Sequence, residues 1–288
     1  MEIAVISGKG GTGKSSISAA LATLCSPAVL ADCDVDAANL HLIFNPSIED
    51  DQVYISGHKA VIDYDLCSGC LICAGQCRFE AISTHNELVT INEISCEGCF
   101  LCSRICPENA IKMSPNDKSR LFSGSFRHGK MAYGLLAPGE ENSGKLVNMV
   151  RQRARQLSDQ TNFETTIIDG PPGIGCPAIS TITGVDKIIV VTEPTISGLL
   201  DLERTVTMVV QSDRKPYVII NKSDLNLSMT AKISDWCRNN DIILAGTLPF
   251  DKKITESMVM GKTIIEYDPD GIISQVLRSI LTYIINEK

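Results

Sequence analysis

The chain has 288 residues, 44% hydrophobic and 21% charged, with a formal net charge of -8, a sequence pI of about 5.1 and a mean hydropathy of +0.09. This balance excludes a disordered chain, and the lack of an apolar run of about 18 residues excludes a spanning helix. The acidic surplus disfavours docking on a phosphate backbone or an anionic lipid surface, so neither nucleic acid nor membrane is an expected partner. No basic segment followed by an apolar stretch precedes the first strand-like run, so a cytoplasmic location is expected. Thiols are kept reduced there, so the spacing of the twelve cysteines must decide what they do.

The apolar run Glu2–Ser7 reads as a strand and leads into Gly8-Lys9-Gly10-Gly11-Thr12-Gly13-Lys14-Ser15-Ser16, with a helix opening at about Lys14. The loop satisfies G-x-x-x-x-G-K-[ST]. Its glycines let backbone N–H groups converge on phosphate oxygens, the helix N-terminus favours their negative charge, and Ser15 offers a hydroxyl to magnesium. Gly8, Gly10, Gly11, Thr12, Gly13, Lys14, Ser15 and Ser16 are therefore the expected nucleotide contacts, with ATP and Mg2+ as cofactors. The second lysine, Lys9, resembles the deviant phosphate loop of the MinD, ParA, ArsA and nitrogenase iron protein group. That resemblance implies a homodimer in which Lys9 reaches across a nucleotide sandwich to the partner's phosphates. After the apolar strand 28–31, Asp32-Cys33-Asp34-Val35-Asp36 resembles the first switch of that group, which implies that Asp34 helps place the attacking water.

An inserted domain is expected over 57–115, dividing a nucleotide-binding domain into 1–56 and 116–288. It contains Cys67-Ser-Gly-Cys70-Leu-Ile-Cys73-Ala-Gly-Gln-Cys77 and Cys96-Glu-Gly-Cys99-Phe-Leu-Cys102-Ser-Arg-Ile-Cys106-Pro107. Each run is C-x2-C-x2-C-x3-C and resembles a bacterial two-cluster ferredoxin, in which the fourth cysteine of one run serves the other [4Fe-4S] cube. The resemblance implies one set of Cys67, Cys70, Cys73 and Cys106, and a second of Cys96, Cys99, Cys102 and Cys77. Zinc also takes four thiolates, but its sites group cysteines in twos. Arg78 stands where the pattern has a proline, which predicts a looser turn after Cys77.

Further strands are expected at 131–136, 165–169, 187–192, 217–221 and 242–248, with helical patterns between most of them. With 2–7 and 28–32 they predict an α/β fold: a doubly wound, mainly parallel sheet with helices on both faces, ligand sites at the strands' carboxyl ends, and an α+β ferredoxin-like insert. Asp169-Gly170-Pro171-Pro172-Gly173 resembles the group's second switch, which implies that Asp169 is the magnesium-side carboxylate. Cys176 lies seven residues beyond Asp169, as a cluster-ligating cysteine does in the nitrogenase iron protein. The stretch 139–145, which matches the segment of the second ligating cysteine there, contains none. Two readings stand for Cys176: a third, labile cluster bridging a dimer, or a small buried thiol. Asn221-Lys222-Ser223-Asp224 is an N-K-x-D run, which in GTPases reads guanine. In the deviant-loop group the matching asparagine contacts adenine, so Asn221 and Asp224 are base candidates and ATP is preferred.

Cys25, Cys33 and Cys237 read as small core residues. The last helix, 270–286, carries Ile273, Val276, Leu277, Ile280, Leu281 and Ile284 at helical spacing with few cations, which predicts packing on the sheet rather than on lipid. Taken together, the resemblance implies a P-loop ATPase acting as a homodimer through Lys9, Lys14, Asp34 and Asp169. Nucleotide switching would be coupled to assembly or delivery of an iron–sulfur or related metallocluster to an acceptor apo-protein. Two alternatives stand beside it: an ATP-dependent electron donor to a partner oxidoreductase, and a non-catalytic nucleotide sensor or positioning ATPase.

Overall fold

The computed structural model of the chain describes residues 1–86, 88–140 and 143–287. Two compact units result. The first comprises Met1–Asp51, Leu121–Gly134 and Gly144–Lys288; the second comprises Gln52–Arg120 and Leu135–Ser143.

The first unit is built on a nine-stranded sheet. Numbered along the chain, its strands are β1 (Glu2–Ser7), β2 (Ala28–Asp32), β3 (Ser47–Tyr54), β4 (Ser119–Phe126), β5 (Gly129–Leu135), β6 (Thr166–Pro172), β7 (Lys187–Thr192), β8 (Pro216–Ile220) and β9 (Ile243–Thr247). Their spatial order is β9-β8-β7-β1-β6-β2-β5-β4-β3. The run from β9 to β5 is parallel throughout. Its central strands are continuous apolar runs because helices cover both faces of such a sheet. Ile3, Ala4, Val5 and Ile6 of β1 are all 0% exposed, each large side chain contributing roughly 1.5–3 kcal/mol by leaving water.

Seven strands were legible; β3 and β4 were not. β3 reads Ser-Ile-Glu-Asp-Asp-Gln-Val-Tyr and is exposed along most of its length. An edge strand rich in charge carries neither alternation nor an apolar run, and its acids protect the open edge from pairing with other chains. β4 and β5 are joined by Arg127 and His128 alone, so they form a hairpin, which only antiparallel strands can do. That turn is pinned by Glu266, which accepts from Arg127 and His128. Burial by itself would raise the Glu266 carboxyl, but Arg127, the Thr263 N–H and His128 hold it down at about 2.

The last helix, Ile272–Asn286, buries Ile273, Ser274, Leu277, Ile280, Leu281 and Ile284. Ser274 takes a core position by donating to the Ile264 and Asp268 carbonyls, whereas Val276 is half-buried. No helix among the described residues is long and apolar enough to cross a membrane. Cys33 and Cys237 are buried, as their composition suggests, while Cys25 is half-buried. Burial pushes the Cys25 and Cys237 thiols up to about 11.

The second unit is a tandem repeat with an offset of 29 residues, the separation of Cys67 and Cys96. The strands His58–Ile62 and Ile111–Pro115 pair antiparallel, as do Ile82–His85 and Leu88–Ile91. Each half contains one short helix, Ile72–Gln76 or Leu101–Ile105. The loops entering them share their left-handed residues: Gly69 and Gly98, Leu71 and Phe100, and beyond the helices Glu80 and Asn109. The helices end alike, with Cys77 at φ -79, ψ 101 and Cys106 at φ -68, ψ 116. The looser turn expected at Arg78 is therefore absent: the residue before Arg78 is as extended as the one before Pro107, and the Arg78 guanidinium lies 4.6 Å from the Phe79 ring centre.

Candidate functional site

The loop after β1 turns through Gly11 (φ 80) and Gly13 (φ 88) into the helix Lys14–Leu24. At Gly13 the requirement for glycine is double: φ is positive, and a Cβ there would lie 2.3 Å from Asn221 Nδ2. Asn221 ties the loop down by donating to the Thr12 carbonyl at 2.8 Å. Lys222 does the same to the Gly11 carbonyl at 2.9 Å.

Behind the loop two carboxylates meet one ammonium, with a third, Asp32, nearby. Lys14, 6% exposed, lies 3.0 Å from Asp169 Oδ2 and 3.5 Å from Asp34 Oδ2. Burial alone would lower its proton affinity, but Asp169 and Asp34 outweigh that and raise it. Ser15 Oγ donates to Asp169 Oδ2 at 2.7 Å, and Ser18 Oγ donates to Asp169 Oδ1 at 2.6 Å. Asp32 is fully buried and accepts from the Asp34, Asn39 and Leu40 N–H groups. Its burial and the nearby Asp169 raise its carboxyl to about 7. Asp34 is less buried, at 14% side-chain exposure, and desolvation again raises it against the pull of Lys14.

Lys14, Ser15 and Asp34 of this cluster border an open cavity of about 560 Å³, lined also by Gly10, Gly11, Thr12, Gly13 and Ser16 from the loop, Asn39 after β2, and Pro171, Pro172, Gly175, Pro177 and Ala178 after β6. Thr12 Oγ1 and Asn39 Oδ1 are buried and have no hydrogen-bond partner among the described residues. Orphan polar atoms on a cavity wall fit a polar ligand, because leaving them unpaired is costly. Ser16 donates to Met258 Sδ at 3.2 Å.

The expected site residues divide into those that line this cavity and those that do not. Lys9 is folded back within its own chain: Nζ lies 2.7 Å from Glu193 Oε1 and donates to Ser197 Oγ at 3.0 Å and Thr195 Oγ1 at 3.3 Å. Glu193 also holds Lys222, at 3.2 Å. Burial would raise the Glu193 carboxyl, yet the two lysines lower it. Asp224 accepts from the Phe250 N–H at 2.6 Å, and Asn221 accepts from the Lys222 N–H at 3.0 Å; neither lines the cavity. Gly8 and Asp169 also lie outside its lining. Sequence reasoning missed Glu193, Ser18 and Lys222. A signal for Glu193 was available, since it follows the apolar strand β7 as Asp34 follows β2.

Cys176 is exposed and opens the short helix Cys176–Ile182, so it is not a buried thiol. Both of its chain neighbours, Gly175 and Pro177, line the phosphate-loop cavity. A Cβ on Gly144 would stand 3.5 Å from the Cys176 Cβ, so the end of the stretch 139–145 passes against it; Glu141 and Asn142 of that stretch lie outside the described residues.

In the second unit a cavity of about 260 Å³ is lined by Cys77, Cys96, Cys99 and Cys102, together with Cys73. Burial raises the Cys73 thiol, with Cys70 and Cys106 adding to it. Burial likewise raises Cys102, with Cys96, Cys99 and Cys73 contributing. The Ala110 N–H donates to Cys106 Sγ at 3.3 Å. No three His, Cys, Asp or Glu among the described residues converge on one ion position. A [4Fe-4S] cube takes one thiolate on each of four irons, so cysteines that would hold one need not converge on a single point.

A parallel sheet bearing a glycine-rich loop, a buried lysine and strand-end carboxylates defines a P-loop nucleotide-binding protein of the α/β class. The profile of the CobQ/CobB/MinD/ParA nucleotide binding domain (CbiA) matches residues 3–264, and the chain belongs to that family. An uncharacterised protein of Methanocaldococcus jannaschii is 37% identical over 230 residues, covering 78% of this chain and 79% of that one. The septum site-determining protein MinD of Bacillus subtilis is 26% identical over 297 residues, covering 99% of this chain and 89% of its own. Among solved structures, MinD of Pyrococcus horikoshii complexed with Mg-ADP shares the fold, with a TM-score of 0.60 at 18% identity, covering 99% of this chain and 96% of that one.

Proposed function

We propose that the chain is an ATP-hydrolysing, dimeric iron–sulfur protein that couples switching at the phosphate loop to assembly or delivery of an iron–sulfur or related cluster. The observation that carries the iron–sulfur half is the repeated loop geometry of the second unit, with all four cysteines of one implied set, and Cys73 of the other, lining a single cavity. The nucleotide half rests on Lys14, Ser15, Asp34 and Asp169 gathered behind the loop of a CbiA-family chain.

An incoming phosphate competes with Asp169 and Asp34 for the Lys14 ammonium. Magnesium, when bound, would withdraw charge from the phosphate oxygens, and Ser15 with Asp169 are the residues to hold it. Asp34, 3.5 Å from the Lys14 ammonium and the more exposed of the two, is the residue to which this reading gives the orienting of a water. The clusters, when bound, would supply one-electron chemistry through Cys67, Cys70, Cys73 and Cys106 and through Cys77, Cys96, Cys99 and Cys102. Cys176, exposed and between two cavity-lining residues, is the group that switching would present to a cargo cluster or to a second copy of the chain.

Lys9 has a defined resting place. Glu193→Gln is expected to release it and strengthen ATP- and Mg2+-dependent self-association several-fold in sedimentation velocity, while Lys9→Ala weakens it; identical profiles for both variants and the parent would remove Lys9 from the dimer.

The test of the whole reading is cluster transfer. Anaerobic protein loaded with extra iron and sulfide should activate an apo-acceptor faster with ATP than with ADP, and Cys176→Ala should lose that gain. Transfer indifferent to nucleotide would end the proposal, and a nucleotide effect on electron delivery alone would turn it to electron donation. The likeness to Bacillus subtilis MinD over nearly the whole chain favours the positioning-ATPase reading as the rival, which leaves the cysteine repeat without a task.

A further inference from the structure

The 29-residue repeat of the second unit is broken at one chemically important place. Lys59 is the second residue of the strand His58–Ile62, and the residue 29 positions on is Leu88, which is 57% exposed. Lys59 itself is 9% exposed, and all three donors of its ammonium have a near acceptor: the Cys96 carbonyl at 2.8 Å, the Gly139 carbonyl at 2.9 Å, and Glu140 Oε1 at 3.3 Å. Glu140, at 3% side-chain exposure, also accepts from Ser56 and Asn116. The second loop is closed against the same strand, because a Cβ on Gly98 would lie 2.2 Å from the His58 carbonyl, whereas Gly69 in the first loop meets nothing.

A buried ion pair gives little net stability, since desolvating both charges offsets their attraction. What it does reliably is hold a full charge where water cannot screen it. Here the positive end lies one hydrogen bond from the backbone of a cysteine on the cavity wall, and the negative end lies 3.3 Å from that ammonium. Adding an electron to a cluster makes it more negative, so a nearby cation favours the reduced form and a nearby anion opposes it.

We propose that Lys59 is a positioning and tuning residue for the cluster of Cys77, Cys96, Cys99 and Cys102: it fixes the Cys96 carbonyl and raises that cluster's reduction potential, with Glu140 limiting the rise. This rests on the iron–sulfur reading above. Among the described residues the pair nearest the first run, Lys112 with Asp63, is exposed rather than buried (side chains 71% and 30% exposed), so water screens it and the two clusters would differ in potential despite their like loops.

The experiment uses full-length protein reconstituted anaerobically with iron and sulfide. Iron is counted first; then a dithionite titration at fixed potentials is followed by electron paramagnetic resonance, with the second cluster's signal identified as the one lost in Cys99→Ser. Lys59→Met should lower the midpoint of that signal, Glu140→Gln should raise it, and Lys59→Arg should stay near the parent, with the other signal unmoved in all three. A purely structural pair would disturb the site in the same sense whichever partner is removed. Shifts of one sign in both variants, no shift, or both signals moving together would overturn the proposal. If Lys59→Met loses the cluster, the rise in Glu140→Gln decides. Parent protein without iron would sink the cluster reading itself, which the count reveals before any titration.

Discussion

Replacing Lys14 with methionine is expected to abolish nucleotide turnover and to destabilise the nucleotide-free protein at the same time. The ammonium serves two purposes. Toward the cavity it is the cation that meets phosphate charge, and removing one such preorganised group typically costs at least about 100-fold in rate. Toward the core it neutralises Asp169, which is 0% exposed, and Asp34 beside it. Without it, Asp169 keeps, among the described residues, only the Ser15 and Ser18 hydroxyls as side-chain partners and faces the Asp32 and Asp34 carboxyls. Breaking a buried pair from one side costs about 3–5 kcal/mol. The double variant Lys14→Met with Asp169→Asn separates the two effects: it should recover much of the stability, measured by thermal or urea unfolding, and none of the turnover. Normal hydrolysis by Lys14→Met would show that this loop is not the site of the chemistry.

Anaerobically prepared protein is expected to carry about eight irons per chain, two cubes of four. The sharper expectation concerns the fourth cysteines. Cys77 closes the first run in sequence yet lines a cavity with Cys96, Cys99 and Cys102, a cavity that Cys73 of the other set also borders, and the Cys73 thiol feels Cys70 and Cys106. Cys77→Ser should therefore perturb the same spectroscopic signal as Cys99→Ser, and Cys106→Ser the same signal as Cys70→Ser, with about four irons kept in each. Pairing by sequence run instead would refute the crossed assignment. Zinc in place of iron, with no cluster absorption, would refute the clusters altogether.

The parallel core was legible because its strands are buried on both faces and so are written as apolar runs, as in Ile3-Ala4-Val5-Ile6 and Ile188-Ile189-Val190-Val191. The phosphate loop was legible because its glycines answer local backbone demands, and the cysteine runs because metal-ligand spacing is local too. The edge strand β3 was not, since an edge needs only backbone partners and tolerates almost any side chain; β4, beside it, was not because it puts Ser119 and Ser123 at buried positions and so lacks an apolar run. The helix 270–286 shows the mixed case: the periodicity marks its inward face, but it cannot tell that Ser274 is taken in and Val276 held halfway, which depends on the carbonyls Ile264 and Asp268 that Ser274 meets.

What the amino-acid order by itself determined here was the set of short-range devices: a loop shaped for phosphate, paired cysteine runs, apolar strands and carboxylates at strand ends. Only the tertiary structure decided what those devices touch. It parked Lys9 on Glu193, 184 residues further along the chain; it bound Asp224 to the Phe250 N–H; and it set Lys59 on the Cys96 carbonyl with Glu140 3.3 Å from its ammonium. Spacing and propensity act over a few residues. The neighbours of a buried charge are set by long-range packing, which brings together groups that carry no mark of each other in the sequence.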